Sequence, residues 1–159
     1  MQQPNSFNVL KTLHVALLIG MAMFNIVALI LVQQEITADG GESLERGLQV
    51  VCIGLSAIFL LGGFKFFKKK IMAARNSLET GEKRMDQYRA ACIFWWAMIE
   101  GPGILAGIGF IITHNYAFFA LSILHVVCMF LFAPRKANIV VFLNLTADDV
   151  ARLEGGGKK

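Results

Sequence analysis

The feature that most constrains this chain is the apolar run over residues 90–113, AACIFWWAMIEGPGILAGIGFIIT, which carries a carboxylate, Glu100, near its middle. A helix crossing a hydrocarbon core of about 30 Å needs about 20 apolar residues, so the run has spanning length. An ionisable group at mid-depth costs about 3 kcal/mol on insertion scales, and Glu100 is the only acidic residue inside any apolar run of the sequence. Pro102 lacks the N–H that would bond the carbonyl of Met98, which puts Glu100 in a bent turn. At helical spacing Glu100 shares a face with Ile93, Trp96, Gly103 and Gly107, and the two glycines admit a close neighbouring helix. The spacing predicts a carboxylate aimed into a helix bundle.

Three more apolar runs, residues 12–32, 48–67 and 117–133, extend that expectation to an all-α, four-transmembrane-helix bundle over residues 1–134. Composition agrees: 56% of the 159 residues are hydrophobic and 16% charged, against about 45–50% and about 25% in soluble domains. Residues 135–159 read as a cytoplasmic tail. Within it Thr146 caps a short helix with Asp148 and Asp149 in the first turn, Val150 and Leu153 form its apolar face, and residues 155–159 are expected to be disordered. The first run is longer than a signal-peptide core and lacks a small-residue cleavage pattern, so it is expected to be kept.

Charge sets the expected orientation. Residues 33–46 hold Glu35, Asp39, Glu42 and Glu45 against a single arginine, with Asp39-Gly40-Gly41 marking the turn. Residues 65–89 hold eight lysines or arginines against three acids. Cationic residues concentrate on the cytoplasmic side of short connections, which places both termini and the basic connection inside. Tyr116 then anchors the outer interface. The net charge of +4 is explained by this local excess, and basic and aromatic residues do not interleave on a polar surface, so nucleic acid is not an expected partner.

Three polar groups fall in the middle layer of the membrane. Counting 1.5 Å per residue from each cytoplasmic end places Glu100 about 15 Å deep, His125 about 12 Å and Asn25 about 20 Å. Glu100 with His125 and Asn25 is therefore the candidate ion-binding or proton-carrying group. A protonated Glu100 that fixes packing is the alternative, and Asn25 is expected to bond across helices. Pro102, Gly103 and Gly107 are read as a kink and packing face, or else as a helix break whose carbonyls meet an ion. Trp95 and Trp96 suit an interfacial belt. Lys68, Lys69 and Lys70 determine topology and are candidate contacts for anionic lipid headgroups.

Nothing in the sequence has the pattern of an enzyme: no paired carboxylates, no phosphate-cradling loop, no nucleophile beside a base on a polar surface. Cys52, Cys92 and Cys128 lie in three different apolar runs without metal-ligand spacing, which suits buried free thiols. His14 and His125 lie at different depths, and nothing else points to haem, so no cofactor or metal is expected. The leading expectation is a non-enzymatic accessory or assembly subunit in contact with the bilayer, as a homo-oligomer or within a larger complex.

Residues 66–113, with Ala74-Arg75-Asn76 in the connection and Trp96-Ala97-Met98-Ile99-Glu100 in the second helix, resemble the helical hairpin of rotary ATPase proteolipid subunits. That likeness implies that Glu100 carries a translocated proton or sodium ion. The first helix lacks the dense glycine repeat of that family, the connection is longer, and two more spans flank the hairpin. The whole chain also looks like the small four-helix membrane proteins of bacteria, which implies location and fold without an activity.

Overall fold

The computed structural model describes residues 5–35 and 41–156. Every regular element among them is helical: α1 (Ser6–Gln33), α2 (Glu42–Arg75), α3 (Gly81–Thr113), α4 (Tyr116–Leu131), α5 (Lys136–Leu143) and α6 (Ala147–Ala151), closed by a π-type turn, Arg152–Gly156. Polar side chains fix the starts. Asn5 accepts from the Phe7 and Asn8 N–H groups, Thr80 from Lys83 N–H and Asn115 from Ala117 N–H. Residues 39 and 40 of the expected turn, and 157–159 of the expected disordered end, lie outside the described residues.

Helices α1, α2 and α3 are long and apolar enough to cross a membrane. With 28, 34 and 33 residues they run about 42, 51 and 50 Å, so α2 and α3 overshoot a 30 Å hydrocarbon core by some 20 Å. The residues expected as a basic connection therefore stand mostly on two helical extensions, and the loop between them is only residues 76–80. Helix continues past the apolar run because 68–75 are lysines, alanines and other good helix formers, with neither Gly nor Pro.

The fourth run differs from its expected form. Helix α4 has 16 residues, about 24 Å, which falls short of the core on its own. It reaches spanning length only together with α5, from which it is bent by 71°. Pro134 sits in the break, where it withholds an N–H and turns the preceding residue away from helical geometry. Residues 136–143, not assigned from sequence, form α5.

Helix α3 is the hub. Half of its apolar window is buried, against 22% for α1 and 17% for α2, and it packs against α1, α2 and α4. The outer faces of α1 and α2 are large apolar side chains, with Val50 75% and Leu61 68% exposed. Such surface is stable only when lipid or protein covers it.

The tail is not a separate unit. Ile139, Leu143, Leu145 and Leu153 join Phe7, Leu10, Ile71, Met85 and Tyr88 in one apolar cluster, which brings both ends of the described chain to one end of the bundle. Arg84 of α3 locks this cap. Its guanidinium donates to the Leu143 carbonyl at 2.8 Å and the Asn144 carbonyl at 3.3 Å, and pairs with Asp149 at 3.3 Å. Thr146 caps the helix as expected, and Asp149 closes a capping box with it. Gly81 lies so close beneath that a Cβ there would collide with the Asp149 side chain. The π-type turn carries Gly155 at φ 84°, a conformation that suits glycine.

The cap yields two expectations. Arg84→Ala should cost about 2 kcal/mol, in line with about 1.5–3 kcal/mol for a hydrogen bond to a charged group, and Gly81→Ala should undock the tail by collision; trypsin cleavage after Arg152 should then accelerate several-fold. The Thr146 N–H, outweighing burial and aided by the Thr146 hydroxyl, Arg84 and Arg152, holds the Asp149 carboxyl below the usual carboxylate range. A carboxyl depressed in the folded state stabilises above its ordinary value, about 3.9, and loses that effect as pH falls through the folded value. The tail should stay docked from pH 7 to about pH 5 and loosen below about pH 4, measured by pepsin susceptibility or hydrogen exchange across the acid range.

Candidate functional site

Glu100 stands at the border between the packed and the open faces of α3. Behind it, Trp96, Gly103 and Gly107 are buried; beside it, Ile93, Ala97, Gly101 and Ile108 are exposed. The packed side is set by close approaches. A Cβ on Gly103 would come within 2.8 Å of both His125 Cβ on α4 and Met21 Cε on α1, and one on Gly107 would collide with the Phe24 ring of α1. Gly101, one residue beyond Glu100, has open space where a side chain would project. Glu100 itself is half-buried, and no hydrogen bond or ion pair joins its carboxylate to any described residue.

The three groups placed at one depth by the sequence are not joined. His125 is fully buried on α4, and a 2.9 Å hydrogen bond links its Nε2 to Ser56 Oγ of α2. Asn25 is buried too, but its amide donates to the Met21 carbonyl of its own helix at 2.9 Å instead of reaching across. The amide nitrogen thus bonds locally to the i−4 carbonyl while Oδ1 meets no partner among the described residues, which corrects the expected interhelical bond. Ser122 completes the layer by donating to the Gly103 carbonyl of α3 at 2.7 Å. Ser56, His125, Ser122 and Gly103 thus stitch α2, α4 and α3 together in the interior, while Glu100 lies at the edge.

Three further residues take places the sequence did not give them. His14 Nε2 lies 2.9 Å from the Met129 carbonyl, with the His14 ring 5.0 Å from that of Trp96, so α1 and α4 are tied at this point and each histidine has its own protein partner. Trp95 and Trp96 are almost wholly buried against neighbouring helices, which replaces the expected interfacial belt by interior packing. Trp95 stacks on Phe67, meets Phe132 edge-on, and fills the space left by Gly63. Lys68, Lys69 and Lys70 are exposed on the extension of α2, Lys70 over the Phe66 ring at 5.3 Å.

Chemically the two groups differ. The serine and histidine layer is enclosed and bonded across helices through Ser122 Oγ and His125 Nε2, which suits adhesion between helices. Glu100 is a proton donor or acceptor open to whatever lies beside α3. Ser122 and His125 could have been noticed as a polar i, i+3 pair in an apolar run; their partners could not, because both belong to other helices whose rotation against α4 periodicity does not give.

Ser56→Ala is expected to lower the stability of the purified chain by about 1 kcal/mol, the scale of hydrogen bonds between membrane helices, whereas Glu100→Gln should change it by less than about 0.5 kcal/mol. Thermal or denaturant unfolding in one detergent checks both; a large loss from Glu100→Gln would show a partner inside the chain. Compared with known proteins, the chain matches no family model, no curated protein and no solved structure.

Proposed function

We propose that this chain is a four-span integral membrane protein of a bacterial inner membrane, acting as a non-enzymatic accessory or assembly subunit that presents Glu100 to a partner. In this reading α1, α2 and α3 each cross the bilayer, α4 with the bent α5 makes the fourth crossing, and both termini lie in the cytoplasm. Two features support the orientation: the basic extensions of α2 and α3 lie at the end where the tail docks, and Glu42 and Glu45 lie at the start of α2, beside the Asn115 turn.

The observation that carries the functional reading is the half-exposed Glu100 carboxylate without an internal partner, beside the open space at Gly101. A group kept only for packing would be enclosed and satisfied. A carboxylate on the outer edge of a membrane helix lowers its cost by meeting a donor on another chain or by carrying a proton. The same exposure supports a second reading, a proton- or sodium-translocating subunit in which Glu100 titrates at a subunit boundary.

Carbodiimide labelling of Glu100, with Glu100→Gln as the unlabelled control, separates these. For an assembly contact, labelling is weak in native membranes, strong after dispersal in detergent, and the Gln variant migrates as a smaller species on native gels. For ion carriage, labelling in native membranes falls with rising pH or with added sodium. Equal labelling in membranes and detergent, insensitive to pH and sodium, with unchanged complex size, would sink both readings.

A further inference from the structure

A cavity of about 480 Å³ opens where the extension of α2, the start of α3 and the break between α4 and α5 meet. Its walls are apolar, chiefly Phe67, Leu131, Phe132 and Phe142, and three cations line it: Lys68, Arg75 and Arg135. No aspartate or glutamate is among its described lining residues, and none of the three cations takes part in an ion pair or hydrogen bond with a described residue. By contrast Arg46, Lys83, Arg84, Arg89, Lys136 and Arg152 each have a carboxylate partner. Three unneutralised cations from two separate elements converge on one apolar hollow, which calls for an anion attached to an apolar body.

The position narrows the class. Lys68 and Arg75 follow the apolar part of α2, and Arg135 follows Pro134 where α4 ends, so the charges stand at headgroup level once the apolar runs lie in a bilayer. Two walls continue onto the lipid-facing surface, with Leu131 70% and Phe64 45% exposed, so the hollow is open toward hydrocarbon as well as toward water. A water-soluble anion would leave those walls bare. We propose that this cavity is a site for one anionic phospholipid, its phosphate held by Lys68, Arg75 and Arg135 and an acyl chain laid along Phe67, Leu131 and Phe132. Binding here recruits residues from α2, α3 and the α4–α5 break at once, and so ties the bend to the bundle. Of the three lysines singled out in the sequence, only Lys68 belongs to the site.

The inference rests on the membrane residence proposed above. Carbonate extraction of the native membrane tests that residence by itself, so failure of one is distinguishable from failure of the other. The purified full chain in detergent is titrated with phosphatidylglycerol, phosphatidylcholine of the same acyl chains, oleate and inorganic phosphate, with bound species read by native mass spectrometry. Phosphatidylglycerol is expected to bind best, and Lys68→Gln, Arg75→Gln and Arg135→Gln together should weaken it roughly 100-fold, from about five-fold per headgroup cation. The control Lys65→Gln, Lys69→Gln and Lys70→Gln removes the same charge outside the cavity and should change binding by less than about three-fold, as expected of exposed, screened charge. Ala133→Trp, which fills the cavity and keeps every charge, should weaken phosphatidylglycerol while the melting temperature holds. Equal losses in the two triple variants would overturn the site in favour of general surface charge. So would phosphatidylcholine, oleate or free phosphate binding as tightly as phosphatidylglycerol, or an Ala133→Trp chain that still melts as wild type and binds unchanged.

Discussion

Close approach at glycine holds this bundle together. Between helices in hydrocarbon the apolar effect offers little, since a lipid tail is as good a neighbour as leucine, and association depends on packing and on interhelical hydrogen bonds. At Gly103 the room left by the missing side chain is taken by His125 and Met21, at Gly107 by Phe24, at Gly109 by Phe118, and across the interface Trp95 of α3 enters the space at Gly63 of α2. These contacts make α3 the helix that every other span touches. They also bring the polar layer within range: with His125 against Gly103, Ser122 reaches the Gly103 carbonyl and His125 reaches Ser56.

That packing determines where Glu100 can sit. The glycine face of α3 is filled by α1 and α4, and the face of Trp95 and Met98 is filled by α2. Glu100 lies half-buried between the filled side and the exposed stripe of Ile93, Ala97 and Gly101. The interior polar role that the sequence assigned to it is taken by His125 and the two serines.

At the other end, a different physics applies. The extensions of α2 and α3 run beyond the apolar stretches into sequence rich in charge, where removal of apolar side chains from water drives association. The apolar sides of α5 and of the final turn close over Met85, Tyr88 and Ile71, and Arg84 satisfies the carbonyls exposed where α5 ends in the left-handed residue Asn144. One chain thus carries a bundle of long apolar helices packed at small residues and a cap held by an apolar cluster and one largely buried ion pair.

The sequence alone determined the helical class, the three long apolar helices among the four it read, and the N-cap at Thr146, because apolar run length, polar caps and first-turn acids act within a few residues of where they are written. It also marked Gly103 and Gly107 as small positions on the face of Glu100. Tertiary structure decided the rest: that α4 is too short without the bent α5, that Asn25 bonds within its own helix, that Trp95 and Trp96 are interior, that the tail folds back under Arg84, and that Glu100 stands at the edge. Each of these turns on how helices far apart in sequence are rotated and spaced about α3. Helical periodicity says which residues share a face, but only packing says what that face meets.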